Sequence, residues 1–498
     1  MNTSDYLLAD GRPDDVVLVD AGRTVTYDGL RTAAARLAGR LAALDLPPGS
    51  RVGVVGNNSL FWVAAYLATM KLGHVAVPFS DKLSVADVER QSSWVGCAAV
   101  FLDRRQQRAF GSAFAATMPV LTDAALADEG GPASYWPDDT GTDPDADATL
   151  MFTSGTTSGP KAVRVTHRNI QANTDSIVEY LRLSHEDRML VILPFFYCFG
   201  ASLLHTHLRV GGSLALCNTF VFPETAIDML ERERCTGFAG VPSSFQLLLR
   251  ISSFGSRDLP ALRLVQQAGG KLPPVLIEEL LAAQPGVELF VMYGQTEATA
   301  RLSYLPPDRV IDKLGSIGRG IPGVELRVVD ESGNRVAHGV TGEIVARGAN
   351  VSPGYWNDPV TSAAKFPGGD LRTGDLAFAD EDGYLYVVDR LDDFIKSWGY
   401  RISSQEVEAA VLEMTDLVSA AAVGVPDLAA GEAIALVATV RPGAEVNEED
   451  VLAFARARLA KHMVPESVHL VASIPLTASG KVNKPELRRL VRELTAVG

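Results

Sequence analysis

The chain has 498 residues, too many for one hydrophobic core, so two or more domains are expected. Its 47% hydrophobic and 21% charged residues are those of a globular protein in water. Its net charge of −15 argues against nucleic acid and anionic membranes as partners.

The four cysteines (Cys97, Cys198, Cys217, Cys235) are far apart, without zinc-ligand spacing, and suit a reduced, cytoplasmic setting. The acidic start shows no secretory signal, and no apolar run approaches the roughly 20 residues of a membrane span. Along the chain, residues 51–55 read as a strand, 60–72 as a helix, and 75–77 and 98–102 as strands. Such alternation predicts parallel sheet covered by helices. Residues 128–147, acidic and rich in Gly and Pro, read as an exposed loop. Strands are expected at 148–152, 189–193, 213–216, 237–241, 262–265 and 289–292, with helices between. From about 316 the pattern shifts to short alternating strands at 324–329, 342–346 and 384–388, which predict a small β subdomain. A fresh α+β unit follows: helices at 405–413, 448–459 and 484–494, strands at 419–425, 433–440 and 468–473. The expected division is a large domain over 1–391 and a small one over 392–498.

The stretch 153–161 reads TSGTTSGPK. Its glycines allow backbone N–H groups close to an anion, its hydroxyls donate to phosphate oxygens, and Lys161 adds positive charge. This composition suits a loop around a polyphosphate. It is not a Walker A loop, because the glycine spacing is shorter and a proline separates Gly159 from Lys161.

The same string resembles the phosphate-binding signature of the adenylate-forming superfamily, which includes acyl-CoA synthetases, luciferases and adenylation domains of nonribosomal peptide synthetases. Four further elements occur in that family's order. Tyr293-Gly294-Gln295-Thr296-Glu297 resembles YGxTE, and Thr373-Gly374-Asp375 resembles TGD. Asp389-Arg390-Leu391-Asp392-Asp393 with Lys396 and Gly399 resembles the hinge element, and Thr477-Ala478-Ser479-Gly480-Lys481 the C-terminal TxxGK element.

The resemblance implies a division of labour. Thr153, Ser154, Gly155, Thr156, Thr157 and Lys161 would hold the β- and γ-phosphates of ATP. Thr296 would meet the α-phosphate, and Glu297 would hold Mg²⁺. Asp375 would accept from the ribose hydroxyls, Arg390 would reach the nucleotide, and Tyr293 would stack on adenine. Lys481 would bridge the α-phosphate and the substrate carboxylate, stabilising the charge that gathers in the transition state. The small domain would then turn about Asp392, bringing a face with Lys396, Gly399 and Arg401 toward a thiol.

The acyl pocket is less determined. By the same alignment its wall includes Tyr197, Ala201, Ala239, Gln266, Ala268, Met292, Ala300 and Arg301. Most are small, which predicts a deep cavity. Tyr197 stands where many relatives have His and where amino-acid-activating domains have Asp nearby. An uncharged residue there disfavours an α-ammonium group, which needs a counter-charge when buried. Arg301 either pairs with a second anionic group on the substrate or ties down neighbouring loops. The reaction expected is ATP-dependent activation of a carboxylic acid as acyl-AMP, then transfer to CoA or to the phosphopantetheine of a separate carrier protein. The alternatives are an acyl-AMP-forming enzyme using an amine, a nucleotide-binding protein without catalysis, and a kinase releasing ADP.

Overall fold

The computed structural model describes residues 1–20, 22–127, 133–139, 141–153, 161–220, 222–390 and 394–497. Among these residues the strands form four sheets. The largest has nine strands, parallel from Glu288–Tyr293 through Leu264–Gln267, Gly237–Gly240, Arg188–Val191 and Ser213–Leu216 to Val16–Asp20, with antiparallel strands at both edges. A six-stranded sheet runs Val120–Thr122, Cys97–Leu102, Arg51–Val55, Val75–Phe79, Asp147–Thr153, Lys161–Thr166, and only its last pair is antiparallel.

One apolar cluster takes side chains from both large sheets and from the helices Leu60–Lys71 and Cys198–Arg209. Those two helices are buried on nearly every side. A helix apolar all round belongs inside a core, not on a surface. Tyr66 of the first stacks on His205 of the second at 5.8 Å between centroids, and Trp62 meets Phe195, just ahead of the second helix, at 5.4 Å. The Ser59 hydroxyl accepts from Trp62 N–H and starts the first helix.

A four-stranded antiparallel sheet follows, Val324–Val329, Gly342–Gly348, Leu371–Ala379, Leu385–Arg390. The last sheet begins at Ile395 and has its own apolar cluster, including Val407, Leu417, Leu436 and Val451. It carries the helices Ser404–Val411, Glu448–Arg458 and Lys484–Val497. The expected strands are present, with one displaced: the strand expected at 262–265 runs over Leu264–Gln267. Gln266 and Gln267 look like loop residues by polarity, yet both are buried in the ladder.

Burial holds four histidine pKa values down, His167 and His207 to about 4, His205 to about 3, and His74 in the same direction. His167 Nδ1 accepts from Thr3 N–H at 3.2 Å, which ties the N-terminal helix Thr3–Leu8 to the helix His167–Leu181. Below the ordinary value of 6.5 the unfolded chain binds protons that the fold refuses, so stability falls as pH drops from about 6.5 towards 4. A histidine depressed to about 4 contributes on the order of 3 kcal/mol across that window. Urea midpoints are expected to fall stepwise between pH 7 and pH 5; a flat profile would contradict this.

Candidate active site

The strands Asp147–Thr153 and Lys161–Thr166 pair antiparallel, and their register sets Thr153 opposite Lys161. Both therefore flank the loop between them. Ser154, Gly155, Thr156 and Thr157 lie outside the described residues. Lys161 Nζ sits 5.1 Å from the centre of the Tyr355 ring, and the Tyr355 hydroxyl donates to Glu297 Oε1 at 2.8 Å. Burial and the Glu297 charge push the Tyr355 hydroxyl well above its ordinary range, so it stays a donor. The Thr296 hydroxyl donates to Cys198 Sγ at 3.4 Å. The turn after it is pinned: Ser352 N–H donates to the Glu297 carbonyl at 2.9 Å, and the Thr299 hydroxyl donates to the Asn350 carbonyl at 2.7 Å.

On the neighbouring β subdomain, Asp375 and Arg390 are cross-strand partners. Arg390 Nε donates to Asp375 Oδ1 at 3.0 Å, and the Tyr293 hydroxyl donates to Oδ2 at 2.5 Å. Asp375 is 3% exposed. A carboxylate has about four acceptor positions, so each oxygen retains capacity for a ribose hydroxyl. Gly374 has φ +79°, where a side chain would be strained, and its N–H donates to Glu343 at 2.9 Å. Lys365 Nζ donates to the Thr373 carbonyl at 2.9 Å, and burial lowers its pKa against the opposing pull of Glu297 and Asp375. Neither Lys365 nor Tyr355 is evident in the sequence motifs. Their nearness to the Thr373-Gly374-Asp375 element and to Glu297 is set by tertiary packing.

Lys481 comes from the C-terminal unit. A turn holds it: Thr477 N–H donates to the Lys481 carbonyl at 2.7 Å, and Lys481 N–H to the Thr477 hydroxyl at 3.2 Å. The turn is docked on the large domain through the Ser243 hydroxyl, which donates to the Gly480 carbonyl at 2.6 Å. Lys481 Nζ thereby lies 5.5 Å from the centre of the Tyr197 ring. Gly269, with φ +87°, makes room for this meeting. A Cβ there would come within 2.9 Å of Val241 and 3.4 Å of both Lys481 Cε and the Tyr197 hydroxyl. The structure does not gather Lys396, Gly399 and Arg401 with this group. They are exposed on the hairpin of Ile395–Ser397 with Tyr400–Ile402, where Lys396 pairs with Arg401. Asp392 lies outside the described residues.

The acyl wall follows from strand alternation. Ala239, Gln266 and Phe290 are register partners on adjacent strands. Ala239, Ala268, Phe290 and Met292 share the cluster on one face, while Phe238, Val265, Leu289 and Val291 fill the other. Gln266 belongs to the first face by this alternation. Ala201 and Ala300 line a small cavity with Tyr66, Ser202 and His205. Among its lining residues the Tyr66 hydroxyl and His205 Nε2 lie 3.2 Å apart, a pair the sequence alignment does not single out.

Arg301 is 1% exposed. Its backbone does tie down neighbouring loops, since its carbonyl accepts from Asn173 at 3.1 Å and Asn350 at 2.8 Å. Its side chain does something else. The guanidinium lies 4.0 Å from the Phe199 ring centre, and Nε donates to Met292 Sδ at 3.4 Å. Burial lowers its pKa, with Tyr180, Cys198 and Tyr197 opposing.

The arrangement sets a lysine at one end of an apolar face, and a carboxylate, hydroxyls and a second lysine around a neighbouring polar one. That suits the joining of a polyphosphate to an apolar or mixed-polarity acid. Comparison with known proteins agrees. Residues 8–356 match the AMP-binding enzyme family, and residues 406–481 match the AMP-binding enzyme C-terminal domain. The chain is 33% identical over 479 residues to a feruloyl-CoA synthase of an Amycolatopsis species, covering 96% of each. It is 32% identical over 478 residues to a 2-succinylbenzoate–CoA ligase of Bacillus pumilus, covering 96% of this chain and 95% of that one. Its fold matches the o-succinylbenzoate CoA synthetase of Bacillus subtilis in complex with the acyl-adenylate intermediate OSB-AMP, with TM-score 0.85 and 28% identity over 97% of this chain and 98% of that one. The chain belongs to the AMP-binding enzyme family of the adenylate-forming superfamily and is an ATP-dependent acid–thiol ligase, which activates a carboxylic acid as its acyl-adenylate, releases pyrophosphate and passes the acyl group to a thiol.

Proposed function

We propose that the acceptor thiol is CoA and that the motif residues divide the work as their positions suggest. The observation that carries the reading is Lys481, delivered from the C-terminal unit to the Tyr197 ring. Thr153 and Lys161, with Ser154, Gly155, Thr156 and Thr157, hold the β- and γ-phosphates. Thr296 meets the α-phosphate. Asp375 fixes the ribose with Arg390 beside it, and Tyr293 packs against adenine. Lys481 spans the substrate carboxylate and the α-phosphate, offsetting negative charge as the bond to phosphorus forms. Lys365 adds charge near the nucleotide.

Glu297 is the residue that would hold Mg²⁺. Among the described residues no three His, Cys, Asp or Glu side chains converge as a metal cage. A single carboxylate fits Mg²⁺, which keeps water and phosphate oxygens as its other ligands. When bound, the ion supplies charge neutralisation at the phosphates.

The two halves, 1–391 and 392–498, turn about Asp392 after adenylation, so that Lys481 withdraws and the face of Lys396, Gly399 and Arg401 meets the thiol. CoA is favoured over a carrier protein because the similar enzymes are CoA ligases by name. The use of ATP and CoA supports a cytoplasmic setting; no helix among the described residues is long and apolar enough to cross a membrane. The acidic net charge argues against nucleic acid as a partner. Thioester formation measured with CoA and with a phosphopantetheinylated carrier protein tests the acceptor. CoA is expected to support turnover at a higher kcat/KM; turnover with the carrier alone would reverse the assignment.

A further inference from the structure

We propose that the acid this enzyme activates is a dicarboxylic acid, whose second carboxylate is bound by Arg301 and Gln266. This rests on the acid–thiol ligase reading and names its substrate class. Two polar side chains in the acyl wall are buried and unsatisfied. Arg301 Nη2 has no hydrogen-bond partner among the described residues, and neither do Gln266 Nε2 and Oε1. Each residue is 1% exposed. Among the groups acting on the Arg301 guanidinium there is no Asp or Glu. Its contacts are a phenyl face, a thioether and tyrosine hydroxyls. A guanidinium over Phe199 gains some cation–π attraction, but that does not replace a hydrogen-bond acceptor. A buried cation left this way destabilises the fold unless a ligand completes it.

Geometry places the two groups together and on the acyl side of the reactive lysine. Gln266 and Met292 lie on adjacent parallel strands and on the same face, and Met292 Sδ accepts from Arg301 Nε. Phe199, under the guanidinium, is two residues from Tyr197, whose ring faces Lys481. Tyr197 feels the charge of both Lys481 and Arg301. An acid lying along this wall has one carboxylate at Lys481 and its far end toward Arg301. A carboxylate there accepts paired N–H bonds from the guanidinium and a further one from the Gln266 amide. The same cation repels an α-ammonium group, which agrees with the absence of an acidic partner for one at Tyr197.

The test is ATP–pyrophosphate exchange with succinate, glutarate, adipate and terephthalate, each against its neutral isostere succinamate, glutaramate, adipamate or terephthalamate. Hexanoate, benzoate and ferulate are included as simple monoacids. The wild-type enzyme is expected to prefer at least one diacid over its monoamide by on the order of 10²-fold in kcat/KM, the scale for leaving a site's buried polar groups unpaired. Arg301→Met is expected to erase that preference mainly through KM, because the distal carboxylate is held equally before and during reaction. Arg301→Lys should retain part of it. Arg301→Met should also melt no lower than wild type, since the variant sheds a buried charge that has no carboxylate partner and keeps an apolar side chain against Phe199. Equal loss for diacid and monoamide, or a melting temperature several degrees lower, would mean a structural arginine and would overturn the proposal. If both variants fail to fold, arginine is structural and the proposal also falls. Exchange with monoacids but with no diacid overturns it while leaving the ligase reading intact. Exchange with no acid at all would instead count against that reading.

Discussion

Lys481→Ala is expected to slow acyl-adenylate formation by roughly 10²- to 10³-fold, the scale for removing one partner of charge developing in a transition state. The lysine is held to this position by the Thr477–Lys481 turn and by Ser243 on the large domain, so the loss is of a placed charge. Starting from preformed acyl-AMP and CoA, the same variant should form thioester at close to the wild-type rate. The two half-reactions are read by pyrophosphate exchange and by rapid-quench thioester assay. Equal losses in both would show that one arrangement of the two domains serves both steps.

Asp392→Pro should give the opposite pattern. The strand Leu385–Arg390 ends one sheet and Ile395–Ser397 begins the next, so residues 391–394 alone join them. Proline fixes φ near −65° and limits any large backbone change at that point. Adenylation is expected to stay within a few-fold of wild type, while transfer to the thiol falls by roughly 10²-fold. A variant that makes thioester at the wild-type rate from acyl-AMP would move the hinge elsewhere or remove it. Together the two variants separate the steps in opposite directions, which a general loss of stability does not do.

Much of the polar half of the site is legible in the sequence because its chemistry is local. A loop for phosphates needs glycines and hydroxyls in succession, and residues 153–161 supply them. The cross-strand pairing of Asp375 with Arg390 is less local. The strand Leu371–Ala379 that carries Asp375 is not picked out by its sequence, because Thr, Gly and Asp interrupt its alternation. The hairpin of Val16–Asp20 and Arg23–Thr26 also escapes, being short and at a sheet edge. The acyl wall is the least legible. Whether Arg301 binds loops or faces the substrate depends on side-chain direction, which spacing does not give: its carbonyl accepts from Asn350, while its guanidinium packs on Phe199. The Tyr66–His205 pair joins residues from two helices far apart in the chain, so no spacing announces it.

The most direct test of the central claim is product analysis in a single reaction with ATP labelled at the α-phosphate, Mg²⁺, CoA and the diacid panel. AMP and acyl-CoA are predicted in equal amounts, both dependent on the acid, with acid-dependent pyrophosphate exchange when CoA is omitted. Labelled ADP in place of AMP, or AMP formed at the same rate without any acid, would contradict the account.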